Sequence, residues 1–460
     1  MSGRNSVLIG AFAASLGLAQ SAVPWTRVTQ GASDNLLEPA AARTKDGVLH
    51  VIWSTAGAQR GLFHSALAAD GKPKGPASAI VTGWSALSRP KVIIIAPDAT
   101  LAVLFSGVPG GAQRDDLSRP GPLSSATSKD GGLTWELAPG TQPQSANGHA
   151  GDLAAVADRE GKPLAAFTSS GKVVLQTGLG ATQPVETVRD GPCCAHSVRL
   201  AADSDSFEIW AAWRQTTSRD SGLSVRAVKP AMSADSVPVP GSTQHPFALS
   251  ARAGAPGVYL AYFTGNPAPG ELKLWNVRGG EPLTVVRQAG RQLWLTPGPE
   301  GRLWILWSSP AHSVLAIRSN KALTRFSAPY AIGNPGGAAP PVWQVAGEGS
   351  TGPLDALVNR AVAGKDKAAI FHARLYPNLQ LSATSEGILV ADLGDPVEGV
   401  EVSIEGQTVK SGANGVAAFK LTPGKPTLVK AKHTAYAAAG VTVTLPKAPE
   451  PKKAAKQEKK

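Results

Sequence analysis

Seven times between residues 48 and 358 the chain repeats one phrase: an apolar strand after a polar turn, ending on a large anchor residue. Val48–Trp53, Leu101–Phe105, Leu164–Phe167, Ile209–Trp213, Val258–Phe263, Leu303–Trp307 and Leu354–Val358 are these strands, and their last residues fall about 44 to 62 apart. That interval suits one four-stranded antiparallel sheet. A sheet this size, apolar on both faces, cannot bury itself, so the copies must stack side by side. A third strand follows the second in several units, as in Gly61–Ala66, Leu223–Ala227, Leu272–Asn276 and Ala369–Ala373, with the period-two alternation of half-buried strands. Trp25–Gln30 reads as an outer strand without inner partners, placed to pair with the last unit and cover two open edges.

The 460 residues hold 50 Gly, 37 Pro and 11 Trp, too long a chain for one core and rich in turn formers. One turn carries more information than the rest. In Ser128-Lys129-Asp130-Gly131-Gly132-Leu133-Thr134-Trp135, Asp130 can accept backbone N–H groups within its own turn, Gly131 and Gly132 tolerate positive φ, and Trp135 is placed to reinsert as a buried anchor. With Ser128, Asp130, Gly132, Thr134 and Trp135 at these positions, the segment resembles the Asp-box hairpin of sialidase-like (BNR-repeat) β-propellers. Ser319–Phe326 is a degraded second copy. The resemblance implies an all-β fold. Its β-propeller has seven blades by the spacing, or six, the sialidase number, if the first or last unit is miscounted.

Four regions follow. Residues 1–22, with Arg4 ahead of the apolar run Val7–Ala19 and small Ser21 and Ala22 at the end, have signal-peptide anatomy; the run is shorter than the roughly 20 residues a bilayer span needs. No later stretch has spanning length, so a secreted product, periplasmic or extracellular, is expected. The propeller is assigned to 23–384. In 385–446 the segments Pro396-Val397-Glu398-Gly399-Val400-Glu401-Val402 and Gly412 to Phe419 resemble bacterial Ig-like and carboxypeptidase-regulatory-like β-sandwiches, which act as spacers or adhesive modules. The Pro/Ala/Lys tail 447–460 contributes part of the formal net charge of +12 and reads as a solvated, disordered tail. Arg and Lys elsewhere lack the aromatic interleaving of a nucleic-acid face, so no nucleic-acid partner is expected.

In a ring of such sheets, residues just before each innermost strand converge at one mouth of the axis. Those positions hold Asn35 and Glu38, Arg89, His149 and Asp152, Cys193, Cys194 and His196, His245, and Arg291. Cys193 and Cys194 are the only cysteines, and in an oxidising compartment they can form a strained vicinal bridge, which stiffens the turn or offers a flat apolar plate. His149, His196 and His245 with Cys193 or Asp152 offer a transition-metal set, although no local ligand spacing such as His-x-x-x-His supports one and no cofactor is expected.

Sialidases grip a substrate carboxylate with three arginines and use a Tyr/Glu nucleophile pair with an Asp acid. Arg89, Arg199 and Arg291 near inner strands, Tyr330 and Glu38 are the matching residue types, but the Arg-Ile-Pro signature is missing and Lys91 follows Arg89-Pro90. The expectation is therefore a non-catalytic binding or scaffold protein with a glycan or cell-surface polymer as partner. A sialidase-like glycoside hydrolase is the alternative, and an axial metal site is the weaker one.

Overall fold

The structure, a computed structural model, describes residues 23–29, 36–55, 60–95, 98–110, 123–138, 151–179, 185–189, 194–216, 221–265, 268, 270–335, 338–362 and 365–447. It divides into a unit of Val23–Tyr376 and a second unit that includes Pro377 onward. The segments read as a signal peptide and, beyond Lys447, as a basic tail lie outside the described residues.

Among its described residues, Val23–Tyr376 is all β apart from one short 3₁₀ turn at Pro299–Gly301, and these strands form seven four-stranded antiparallel sheets. Numbered in chain order, sheets 1 to 7 begin with Leu36–Arg43, Ala86–Ile95, Gly151–Ala157, Ala195–Ala202, Phe247–Ala251, Gln292–Pro297 and Ala338–Glu348. Sheets 1 to 6 add their next three strands in sequence order; sheet 7 takes Leu354–Val362, Lys365–Leu375 and then Trp25–Arg27. In that last pairing Trp25 lies opposite Ala373 and Arg27 opposite Phe371. This architecture is consistent with a β-propeller.

Burial follows the order of strands within each sheet. Second strands such as Leu49–Thr55, Pro163–Ser169 and Leu303–Ser308 are buried along their whole length, whereas fourth strands such as Ser78–Thr82 and Val185–Arg189 are only partly buried. A second strand is covered on both faces by neighbouring sheets, which explains its continuous apolar run. The seven anchors Trp53, Phe105, Phe167, Trp213, Phe263, Trp307 and Val358 are all buried, each a gain of roughly 2 kcal/mol from area removed from water.

Apolar clusters join each sheet to the next in order, and another joins sheet 7 to sheet 1 through Leu357, Ile370 and Ala346 against Leu49, Val51 and Leu67. The junction of sheets 7 and 1 also carries buried charge: Arg43 Nε donates to Glu348 at 2.6 Å, Arg43 also bonds Asp355, and Asp355 meets His372 Nε2 at 2.7 Å. Pairing and hydrogen bonds satisfy charges that would otherwise be costly to bury.

The Asp130 turn joins the third and fourth strands of sheet 2. Asp130 accepts the N–H groups of Leu133 and Thr134 and the hydroxyls of Ser128 and Thr134, at 2.5–3.1 Å. Gly131 and Gly132 have φ of 73° and 92°, the left-handed values expected of them. Trp135 is only half-buried, a correction to its reading as a buried anchor: its Nε1 donates to Gly132 O at 3.1 Å and its ring meets His64 edge-on. His64 is locked beside this turn, its Nε2 3.0 Å from His50 Nδ1.

Ser319–Phe326 occupies the equivalent connection in sheet 6. Asn320, one position earlier than the degraded alignment suggests, accepts the N–H groups of Thr324 and Arg325 at 2.9 and 3.1 Å and donates to Thr324 Oγ1 at 3.1 Å.

The second unit starts earlier than residue 385. Gln380–Thr384 pairs with Gly387–Asp392, so the boundary falls at Tyr376/Pro377. Two four-stranded sheets here share one apolar core that includes Ile388, Val390, Val400, Val402, Phe419 and Val429.

Candidate functional site

The first strands of sheets 1 to 7 line one cavity of about 260 Å³, which receives Ala41, Lys91, Ala154, Arg199, Ala248, Gln292 and Gln344 from successive sheets. Small residues at Ala40, Ala41, Ala154, Ala155 and Ala248 leave room where seven strands converge. Among the described residues Lys91 and Arg199 are the charged members of this lining, with Gln292 and Gln344 supplying further polar edges. Among the described residues the charged part of this lining is therefore positive.

One backbone device recurs at its rim. In sheets 1 to 4 the first strand carries a bulge in which two residues face one residue of the second strand: Glu38 and Pro39, Arg89 and Pro90, Asp152 and Leu153, Ser197 and Val198. The residue opposite is the anchor each time: Trp53, Phe105, Phe167 and Trp213. Sheet 7 shifts register at the corresponding end, while the first strands of sheets 5 and 6 run without interruption. An extra residue opposite a large ring bends the strand and re-aims its polar side chains. Asp152 and Ser197 take positive φ of 42° and 56° there, and the Ser197 N–H donates to Asp152 Oδ2 at 2.8 Å, tying the bulge of sheet 4 to that of sheet 3.

Arg214, which sequence reading missed, is the centre of the charge at this rim. It pairs in register with His196, and its Nη2 donates to His245 O at 3.2 Å. Its Nε is buried with no partner among the described residues. Burial, and behind it the repulsion of Arg199, pulls the Arg214 pKa below its ordinary value, while Asp152 opposes the shift. Arg199 lies over the Phe247 ring at 5.6 Å and donates to Val198 O at 2.9 Å. A sequence signal for Arg214 exists. The residue after each anchor is Ser54, Ser106, Thr168, Arg214, Thr264, Ser308 and Asn359, so Arg214 alone puts a charge where the other units use a small polar group.

The remaining expected residues are placed as follows. His196 is exposed, and the half-buried His245 bonds Gly265 O through Nε2 at 3.1 Å. Arg291 sits apart from the Arg199 and Arg214 group, 3.4 Å from His312 Nε2; His312 Nδ1 accepts the Val342 N–H, and Arg360 donates to His312 O and to Asn334. Burial, then Arg291 and Arg360, lowers the His312 pKa. Cys194 is disulfide-bonded, and Cys193, the other cysteine of the chain, lies outside the described residues with Asn35 and His149. Glu38 and Arg89 lie in described strands, but their side chains are outside the described set. Asp152, His196, His245 and Arg291 are at the strand starts and are not among the residues that line the cavity, which Lys91, Arg199, Gln292 and Gln344 reach instead.

Two expectations fare differently. Tyr330 is on the fourth strand of sheet 6, against Trp304 at 6.0 Å, and so is not a member of the rim that a nucleophile would need to join. Among the described residues, no three His, Cys, Asp or Glu side chains form a group that could hold a metal ion.

No family model matches the sequence, and no curated protein matches it. Solved structures similar to this chain include polysaccharide lyase Uly1, with a TM-score of 0.49 at 11% identity over 76% of this chain and 92% of that one. A protein of unknown function from Dyadobacter fermentans scores 0.48 at 11% identity, over 77% and 98%. The intramolecular trans-sialidase from Ruminococcus gnavus, in complex with oseltamivir carboxylate, scores 0.43 at 10% identity, over 60% and 90%. Likeness at these scores carries no weight on activity.

Proposed function

We propose that the protein is an exported, seven-bladed sialidase-like β-propeller, closed by Trp25–Arg27 and joined to an Ig-like sandwich, that binds acidic glycans without turning them over. The observation that carries this reading is the lining of the central cavity, whose charged members among the described residues are Lys91 and Arg199. Arg214 adds a third positive charge at the rim, countered there by Asp152. A sugar carboxylate offers the two-oxygen acceptor that guanidinium groups bind best, and its ring hydroxyls suit Gln292 and Gln344. A vicinal Cys193–Cys194 ring would stiffen the loop that enters sheet 4 beside His196.

Tyr330 on an outer strand leaves the hydrolase alternative without the tyrosine it was assigned, which favours binding over hydrolysis. The test is calorimetric titration with 3′-sialyllactose and a uronic-acid oligosaccharide, with lactose as the neutral control. Binding of an acidic sugar, absent for lactose and weakened about tenfold by Arg199→Ala, with no product released on prolonged incubation, supports the reading. Equal binding of lactose, or release of free sialic acid, overturns it.

A further inference from the structure

A second binding groove lies at the other end of sheet 4, where the turn Asp203–Glu208 leads from its first strand to its second. Asp203, 1% exposed, fixes this turn: its Oδ1 accepts the Asp205 and Ser206 N–H groups at 2.9 and 3.3 Å, and its Oδ2 accepts the Gly257 N–H of sheet 5 at 2.9 Å. The turn is unusual in what it displays. Phe207 adopts φ 57° and is 40% exposed, its ring beneath the Arg159 guanidinium at 5.0 Å. A bulky residue held in the left-handed region costs about 1–2 kcal/mol, so the turn keeps this shape because its surroundings impose it.

On the other side of the turn a groove of about 450 Å³ is lined by Ser206, Glu208, Trp210, Pro230 and Arg278. Glu208 Oε2 accepts Trp210 Nε1 and Arg278 Nη2, both at 2.9 Å, and Arg278 Nη2 also reaches Ser206 Oγ at 3.0 Å. These bonds hold the indole, carboxylate and guanidinium in one fixed arrangement without exhausting them. Glu208 Oε1 and the Nε and Nη1 groups of Arg278 have no partner among the described residues.

We infer that this groove is a binding site for a neutral saccharide. A sugar ring has an apolar face of C–H groups, which an aromatic side chain covers, and an edge of hydroxyls that donate and accept together. Half-buried Trp210 supplies the first surface, Glu208 Oε1 an acceptor and Arg278 Nη1 a donor for neighbouring hydroxyls. The charge selects against acids: Glu208 at 2.9 Å and Asp203 at 3.7 Å outweigh the single positive charge of Arg278. The volume lies in the range of small-molecule sites. This inference stands independently of the acidic-glycan reading of the central cavity, which uses other residues and the opposite charge.

The experiment is saturation-transfer NMR and calorimetry on the whole protein with methyl β-D-galactoside, methyl α-D-mannoside and methyl α-D-glucoside. At least one glycoside binds, and Arg278→Ala and Trp210→Ala each weaken it about tenfold or more. Trp210→Phe, which keeps an aromatic face, retains most of the affinity, and Arg199→Ala leaves it unchanged. Because Arg278 is half exposed, its truncation leaves the fold intact and reports on binding even if Trp210→Ala unfolds the sheet. Failure of all three glycosides to bind, or binding that Arg278→Ala does not change, overturns the inference; loss of binding in Arg199→Ala moves the site to the central cavity and overturns it equally.

Discussion

The turns at Asp130 and Asn320 solve the same problem with opposite chemistry. Each joins the third and fourth strands of its sheet, and each gathers the N–H groups of the following residues onto one side-chain oxygen. Asp130 does so with an exposed carboxylate, Asn320 with a buried neutral amide. The left-handed position also differs. Gly132 (φ 92°) sits against His64, whereas Leu323 (φ 58°) drives a 3% exposed side chain into the apolar cluster between sheets 5 and 6. A turn can thus be closed by charge at the surface or by a neutral group beneath it; charge makes the first turn sensitive to acid, and burial makes the second costlier to break.

The largest separation between the two is expected at the glycine. A Cβ on Gly132 would lie 2.1 Å from His64 Cε1 in a backbone conformation already unfavourable to it, so Gly132→Ala should lower stability by about 3 kcal/mol or more, measured by urea unfolding. Gly131→Ala, with open space around its Cβ, should cost only about 1 kcal/mol. A Gly132→Ala protein as stable as the parent would show that His64 is not locked where the structure places it.

Asn320→Ala should come next, at about 2 kcal/mol, because it removes a buried acceptor shared by the Thr324 and Arg325 N–H groups. The matching Asp130→Ala should cost less, since water reaches the groups it exposes. Reversal of that order in thermal melts would break the contrast between buried and exposed closure.

Acid should act on the Asp130 region and spare the other. His50 and His64 titrate near 4 instead of 6.5: burial is the main cause for both, with Lys74 and Arg43 adding to it and Asp46 opposing it at His50, and His50 adding to it at His64. The unfolded chain therefore takes up these protons first, and the contribution to stability, complete above pH 6.5, is lost as pH falls toward 4. Asp130, held below the usual carboxylate range chiefly by the Thr134 hydroxyl, adds a smaller loss that begins only below pH 3.8. Hydrogen exchange at Gly132 and Thr134 should accelerate between pH 6.5 and 4, relative to the intrinsic rate, while Thr324 and Arg325 stay protected. Equal acceleration in both turns would refute the assignment to the His50–His64 pair.

Much of this was legible in the residues, for stated reasons. Trp53, Trp213 and Trp307 announced the second strands because a strand covered on both faces must be apolar throughout, and the Asp130 turn could be read because its hydrogen bonds are local. The boundary at Tyr376 was hidden, since the pairing of Gln380–Thr384 with Gly387–Asp392 is not written in either segment alone. The site was legible only in outline. Looking just ahead of the inner strands found Asp152 and His245 at the rim, but in sheets 2 and 4 the bulges opposite the anchors shift the register, so the cavity receives Lys91 and Arg199, alongside Gln292 and Gln344 from sheets 6 and 7. Bulges depend on which residue faces a ring across the sheet, whereas Arg214 was marked in the sequence as the one charged residue to follow an anchor.

The alignment of Trp25 with Ala373 has a practical corollary. Head and tail of the Val23–Tyr376 unit run alongside each other, so a short peptide can splice them and the chain can be reopened at an exposed loop. Such a circular permutant would preserve the apolar clusters between neighbouring sheets, turning the present ends into an ordinary hairpin.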